Sequence, residues 1–600
     1  MADACRYKNP LPESSSDKAF HLIERWLCQC LESHEDCCTV SSSMLPSRVI
    51  DVGPADGSQC PYLYVPSDSG SYDKVSGVSQ RYIALSYCWG SHLWAGTDPQ
   101  ITTASSLESR KRGICMTDLP RTIRDAIVIT RRLGVRYLWV DALCILQGSD
   151  ALAKADWERE SSRMADVYGD AFLTIAAASA RSVHEGIFQD RKPQEGQVVM
   201  TFSAEKHNSS DGSVYVQHDA MFCDCIDEPL YHRGWTLQER ILSPRVIIFT
   251  RDQLVWNCQT RNRTETGIEM NTRGQQRLRG SDVLVDGGAL QFWHSVVRDY
   301  SSRHLTNATD KLPALSGLAA ALHQQTGDTY LAGLWENSIL DDLLWANEAI
   351  YSSRGNRITP SRQPNYTAPS WSWASVHGII DFHRSSKEPE FYFAKCLSYN
   401  TTLSGVDHFG AVYNGWIKLR GPLVRVLRVG LEHGSNLIVQ SGAGQDAMSV
   451  CLGKSILDAG EKNITISTPE SNDEFSDIWV LRIKKKAGLV LKVVDSEDGL
   501  VSSDDDDDDE GHVPGIAASN GKRSRKLLGS EIVQRLRTIS EHLPWKRSKA
   551  VITPPRSTSK STRPIKEPIP KAFRRIGMIE LELVGMQAFE RCERRTVTII

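Results

Sequence analysis

The chain has 600 residues, a formal net charge of −3, 40% hydrophobic residues and 24% charged residues. That balance belongs to a globular chain rather than a fibrous or disordered one, and the length calls for more than one packed unit. It excludes a net basic excess that would drive nucleic-acid binding, and no apolar run nears the roughly 18 residues of a membrane span. Fifteen cysteines is an odd and sparse set for this length, and the opening "MADACRYKNP" has no apolar signal core. Reduced thiols and a cytoplasmic location are therefore expected.

Residues 1–80 read as a lead-in, with a helix around Phe20–Leu31 followed by Ser/Pro/Gly-rich sequence. A different grammar begins at 81. "YIALS" (82–86) has no charge and suits a strand covered on both faces, and it breaks into Tyr87-Cys88-Trp89-Gly90. "TDLPRTIRDAIVITRRLG" (117–134) places Leu119, Ile123, Ile127 and Thr130 on one helical face. Thr117 and Asp118 can cap it, Pro120 suits its first turn and Gly134 its stop. "VRYLWV" (135–140) is the next strand. "DWERESSRMADVYGDA" predicts a helix capped by Asp156, with Trp157, Met164 and Tyr168 on one stripe. "FLTIAAAS" (172–179) is a further buried strand, so residues 81–245 predict a parallel sheet flanked by helices.

Residues 246–495 predict a mixed α/β region: a hairpin in "RVIIFTRDQLVWNC", helices near 288–301 and 313–325, and strands in "WIKLRGPLVRVLRV" and "IWVLRIKK". The composition then breaks. Ten acidic residues and no basic ones lie between 495 and 510, and sixteen Lys/Arg against three Glu between 521 and 575. The segment 496–574 is expected to be a disordered acidic-then-basic insert, within which Ile532, Leu536, Ile539 and Leu543 can line a transient helix. Residues 575–600 predict terminal strands.

Four blocks carry a family resemblance. "YIALSYCWG", "LPRTIRDAIVITRRLGVRYLWVDALCILQ" (119–147), "DWERESSRMADVYGDAFLTIAAA" (156–178) and "RGWTLQERILSPR" (233–245) resemble, in order and spacing, the signature blocks of the heterokaryon-incompatibility (HET) domain of filamentous fungi. "YSSRHLTNATDKLPALSGLA", "YLAGLWENSILDDLLW" and "APSWSWAS" resemble the region that usually follows it. The resemblance covers roughly residues 20–380 and implies a HET domain at 81–245. It implies a role in non-self recognition ending in growth arrest or programmed cell death. It also implies a TIR-related, flavodoxin-like α/β fold. Several TIR domains cleave NAD with a glutamate on the helix after the third strand. NAD cleavage by this chain is an expectation from that analogy of fold. NAD would be a substrate, with no cofactor required. The partners expected are a second copy of the chain or another incompatibility protein, with no membrane and no nucleic acid. The alternative is a non-enzymatic death-signalling or scaffold module acting by self-assembly or partner binding.

On this reading Glu160 is the leading catalytic candidate, because it follows the Tyr137–Val140 strand on a helix where a TIR-like topology puts the carboxylate. It lies three residues after Trp157 rather than the four of the TIR motif, and the competing role is a surface ion pair with Arg163 or Lys154. Cleaving the nicotinamide–ribose bond passes through an oxocarbenium-like state, which a nearby carboxylate stabilises. Trp89 and Gly90 follow the first strand and Asp141 follows the second, where doubly wound sheets bind ligands; with Trp139 as a stacking wall they form the candidate NAD pocket. Glu239, in the triplet Gln238-Glu239-Arg240, is a second carboxylate candidate, with an arginine–carboxylate brace as the competing role. Cys88 and Cys144 are near enough to be weighed as nucleophiles, but no base is evident.

No metal site is expected. Cys28, Cys30, His34 and Cys37 have zinc-ligand chemistry in the pattern C-x-C-x3-H-x2-C, but one helix carrying all four cannot easily wrap a tetrahedron, so a packed helix end is the simpler account. The basic segment 522–549 offers a nuclear-localisation signal or a nucleic-acid tail as the alternative to a solvated linker.

Overall fold

The computed structural model describes residues 10–37, 45–66, 81–90, 101–191, 198–202, 212–216, 228–267, 269–270, 288–348, 361–362, 365–382, 391–425, 428–430, 436–441, 448–457, 478–494, 572–581, 586, 589 and 592–600. The expected insert at 496–574, its helical stripe at 532–543 and the basic segment 522–549 lie almost wholly outside the described residues.

Nine strands form the first sheet. In chain order they begin with β1 (Val49–Asp51), β2 (Tyr62–Tyr64), β3 (Tyr82–Ser86), β4 (Tyr137–Trp139) and β5 (Leu173–Ala176). A separate hairpin, β6 (Val198–Phe202) with β7 (Gly212–Val216), intervenes. The sheet continues with β8 (Arg245–Phe249), β9 (Leu254–Cys258), β10 (Asn262–Thr264) and β11 (Glu269–Met270). The spatial order is β11-β10-β9-β8-β5-β3-β4-β1-β2. The four central strands, β8, β5, β3 and β4, are mutually parallel, and antiparallel strands extend both edges. The sheet is therefore mixed. The lead-in joins it through β1 and β2, and the hairpin read in "RVIIFTRDQLVWNC" joins it as β8 and β9.

The central strands are apolar because both faces are covered. Every residue of β3, β4, β5 and β8 is buried. Helix α1 (Asp17–Ser33), capped by the Ser16 side chain on the Ala19 amide, buries Phe20, Ile23, Trp26, Leu27 and Cys30. Helices α2 (Leu107–Arg112) and α3 (Arg121–Arg132) precede β4. Helix α3 buries Ile123, Ala126, Ile127 and Thr130, and Gly134 just past its end takes φ +67°, where glycine carries no Cβ penalty.

The segment between β4 and β5 differs from its reading. It forms a short helix α4 (Asp141–Cys144), then α5 (Ala151–Ser161) and α6 (Met164–Gly169), rather than one helix from Asp156. Asp150 caps α5, accepting from the amides of Leu152 and Ala153. Asp156 is buried in mid-helix, and Trp157 is 38% exposed rather than on an apolar stripe. Helical spacing holds only while the helix runs unbroken, and the break at Ser162-Arg163 separates Trp157 from Met164 and Tyr168.

Among the described residues four helices follow: α7 (Trp235–Leu242), α8 (Gly288–Ser301), α9 (Ser316–Thr326) and the short α10 (Ile339–Asp342). A second sheet holds the long strands Lys395–Leu403 and Val412–Arg425, the strands Ile478–Arg482 and Ala487–Val493, and the terminal strands Phe573–Leu581 and Arg594–Ile599. The terminal strands pair inside this sheet, Arg594–Ile599 against Val412–Arg425 over six residue pairs. One apolar core runs from Ala19 to Ile599 and includes residues of both sheets.

Candidate functional site

Two clusters of buried charge flank the parallel strands. The first lies at their carboxyl ends. Beyond β3 the chain continues as Tyr87-Cys88-Trp89-Gly90, and beyond β4 Asp141 opens α4. Trp89 Nε1 donates to Asp141 Oδ2 at 2.8 Å, and the Ala142 amide donates to Oδ1 at 2.6 Å. The Arg233 guanidinium, from the turn before α7, donates to the Tyr87 carbonyl. Glu239 lies on α7 near the end of β3, in the field of the Ser86 and Tyr168 hydroxyls, and Tyr168 donates to the Leu85 carbonyl at 3.1 Å.

Burial sets the electrostatics here. It pushes the Glu239 carboxyl up to about 7, against the pull of Ser86, Arg233 and Tyr168. It also raises Asp141 above the usual carboxylate range, against the nearby Tyr87 hydroxyl, the charge of Arg233 and the bond from Trp89. Burial pushes the Cys88 thiol up to about 11 and the Cys144 thiol up to about 12, so both stay protonated near neutral pH and neither is poised as a thiolate nucleophile. Gly90, at the lip, has φ +103°, and a Cβ there would lie 2.8 Å from the Ser182 Cβ. Only glycine lets Trp89 turn back over Asp141 this closely.

This site is braced from the segment after α8. The Gly234 amide donates to the His304 carbonyl at 2.8 Å, and the His304 amide to the His232 carbonyl at 2.6 Å. Arg303, buried and paired with Asp299 at 2.8 Å, donates to the Arg233 carbonyl and to Thr236 Oγ1. The triplet on α7 divides its labour. Gln238 Oε1 accepts from the Gly317 and Leu318 amides and so caps α9, Glu239 enters the cluster, and Arg240 pairs with Asp299 at 3.3 Å.

The second cluster holds Glu160. Arg48 binds Asp156 directly and lies 3.8 Å from Glu160 Oε1, while Arg159 reaches Asp156 and, at 3.2 Å, Glu160. Asp156 also accepts from the Leu146 amide at 2.8 Å, and Arg48 Nε donates to the Cys144 carbonyl at 2.5 Å. Glu160 is thus paired with Arg48 and Arg159, not with Arg163 or Lys154; Arg163 instead reaches Ser47. A cleft of about 280 Å³ opens beside it, lined by Tyr82, Arg163, Asp166, Val167 and Asp170. Tyr82 begins β3 and Asp170 precedes β5, so this cleft is at the amino ends of the parallel strands.

The structure therefore brings Trp89, Gly90, Asp141 and Glu239 together beyond β3 and β4 and leaves Glu160 outside that group, in the cluster with Arg48 and Arg159. Trp139 is buried, edge-on to Tyr168 at 5.7 Å, and is a wall of the core with no open face. Cys30, His34 and Cys37 lie together, but Cys28 is exposed and apart from them. Sequence reading missed Arg233, Tyr87, Ser86 and Tyr168 as members of the cluster. Their signal was position: Tyr87 directly follows a buried strand, and Arg233 opens the block "RGWTLQER".

The heterokaryon incompatibility protein (HET) family model matches residues 82–239. The chain carries a HET domain. The match begins on the first residue of β3 and ends on Glu239, so the HET domain contains both charged clusters except for Arg48. It leaves out β1, β2, β8 and β9, which the sheet nevertheless includes. No curated protein and no solved structure matches the chain. Among the described residues no helix is long and apolar enough to cross a membrane.

Proposed function

We propose that this HET-domain protein is an effector of fungal non-self recognition that kills by cleaving NAD at the carboxyl-end cluster. Numbered among the parallel strands alone, the order β4-β3-β5-β8 is 2-1-3-4. That is the order of flavodoxin-like sheets, to which TIR domains belong, and ligands of such sheets sit outside the carboxyl ends where the order reverses. Here the reversal falls between β3 and β5. The observation that carries the reading is the pair of carboxyls at that point, Asp141 and Glu239, around one arginine and beneath an indole.

The chemistry follows from the groups. The nicotinamide–ribose bond breaks with its electron pair going to the pyridinium nitrogen, which becomes neutral. The ribose C1′ is left oxocarbenium-like, and an ionised Asp141 or Glu239 stabilises that charge. Water adds to C1′, and its proton passes to Glu239, whose pKa of about 7 suits a general base near neutral pH. The products are nicotinamide and ADP-ribose. Trp89, partly exposed at the lip, supplies a ring face for stacking. Glu160 has the opposite character: two arginines pair with it in a separate cluster.

A second reading, a non-enzymatic module that acts by assembly or partner binding, is favoured by the closure of this site, since Glu239 is buried and Trp89 is bonded to Asp141. Cellular NAD after induced expression in yeast separates the two. With Glu239→Gln, Asp141→Asn and Glu160→Gln compared at matched protein level, NAD is expected to fall with the wild type and Glu160→Gln and to hold with the other two. Growth arrest with NAD unchanged would leave assembly as the account.

A further inference from the structure

Outside the HET match, four metal-ligand side chains meet in the core. Cys30 is in the last turn of α1, and His34 caps that helix with its amide on the Cys30 carbonyl at 3.2 Å. The next turn, Glu35–Cys37, brings Cys37 back toward Cys30. The fourth member comes from the far end of the domain: Cys258, the last residue of β9, at the hairpin into β10. All four are buried, and their ligand atoms lie within 4.8 Å of one another.

We propose that Cys30, His34, Cys37 and Cys258 bind one zinc ion as a closed, structural Cys3His site. Ligand chemistry and geometry agree on this ion. A tetrahedral site with Zn–S of about 2.3 Å and Zn–N of about 2.0–2.1 Å has S···N edges of about 3.6 Å and S···S edges of about 3.8 Å. The His34 Nδ1 to Cys258 Sγ separation is 3.5 Å. The remaining edges need only a modest contraction from the 4.8 Å limit.

Polar groups surround the sulfurs. The Arg261 amide is aimed at Cys258 Sγ at 3.3 Å, the Arg261 carbonyl lies at the same distance as an acceptor for the thiol, and Thr260 Oγ1 lies 3.4 Å from Cys37 Sγ, where either atom can donate. On metal binding the amide and the hydroxyl would serve as the outer shell of the thiolate ligands. Arg245 donates to the Cys37 carbonyl at 2.6 Å and fixes the turn that presents it. On binding, three thiols release their protons to solvent and the imidazole enters neutral, so Zn²⁺ with three thiolates carries one net negative charge. No redox partner is needed, and four protein ligands leave no open position for catalysis.

The ion would tie together the two flanks that the family match omits, α1 before β3 and the β9–β10 hairpin after Glu239. These flanks already touch, with the Trp26 and Trp256 rings 6.3 Å apart. The zinc would therefore staple α1 across the sheet whose carboxyl ends hold the candidate site.

The test uses the full chain purified under reducing conditions without chelator. Elemental analysis is expected to find one zinc per chain, and cobalt exchanged into that site to give the intense visible bands of a tetrahedral thiolate complex. Cys258→Ser and Cys30→Ser should lower bound zinc about tenfold or more, while Cys28→Ser, at an exposed neighbour, should keep the full complement. Because the ligand variants can misfold, the wild-type stoichiometry and cobalt spectrum stand as the independent measurement. A folded wild type that holds no zinc and takes up neither zinc nor cobalt overturns the proposal. So does a Cys30–Cys258 or Cys30–Cys37 disulfide found by mass in freshly prepared protein, or zinc fully retained by Cys258→Ser.

Discussion

The HET domain has two buried charged clusters of similar composition, and they behave differently. Asp156 and Glu160 share Arg48 and Arg159 in direct ion pairs. Asp141 and Glu239 at the carboxyl end sit in the field of Arg233, whose guanidinium donates to the Tyr87 carbonyl, and burial raises both. Pairing turns a carboxylate into a brace, whereas desolvation without a direct pair raises it, in Glu239 to about 7. Carboxylate and arginine alone do not distinguish the two roles. What separates them is whether a guanidinium reaches the oxygens.

The sharpest way to break this comparison is to remove one arginine from the brace. Arg48→Ala leaves Asp156 and Glu160 buried with only Arg159, which is about half exposed. A loss of roughly 3 kcal/mol or more in unfolding free energy by denaturant titration is expected, and a loss below about 1 kcal/mol would mean that Arg48 is not a brace. In the other cluster, Glu239→Gln is expected to cut NAD consumption by about 10²-fold or more while the chain stays folded. Equal loss of NAD cleavage in Glu160→Gln would erase the distinction.

The pH dependence of stability sharpens the comparison further. The Glu239 carboxyl, raised from 4.5 to about 7, holds its proton more tightly in the folded chain than in the unfolded one. Wild-type stability therefore falls, through this group, as pH rises through that window. Glu239→Gln cannot ionise, so it should gain on the wild type from about pH 5 to about pH 8, by on the order of 2–3 kcal/mol. A difference that stays flat across the window would mean that burial does not raise this carboxyl. The smallest expected effect is at the lip. Gly90→Ala combines an unfavourable φ with a Cβ 2.8 Å from the Ser182 Cβ, and should lower the melting temperature in a thermal scan by an amount corresponding to about 1–2 kcal/mol while displacing Trp89. Trp89 fluorescence unchanged by that substitution would show that the lip does not depend on the turn.

Much of the first sheet was legible from periodicity. Fully apolar runs marked β3, β4 and β5, and the α3 stripe with its terminal glycine marked the helix between the first two. Strand ends named Trp89, Gly90 and Asp141 as candidates, because a parallel strand that is buried on both faces can present chemistry only where it stops. Glu160 drew attention through helical spacing, yet the helix breaks at Ser162 and its carboxylate is paired with Arg48 and Arg159. Trp139 looked like a stacking wall because an indole in a strand has no stated side until the layers are assembled, and here both faces are covered.

By itself the sequence determined the α/β order of elements, the family of the domain and the buried strands, because hydrophobic period and chain-local capping are properties of neighbours in sequence. Only the tertiary structure decided that Arg233 and Glu239, more than 140 residues beyond Tyr87, close over the end of β3, and that Cys258 completes a set begun at Cys30. Those meetings depend on strand order and on which face each helix covers, and neither is encoded within the reach of one turn or one strand.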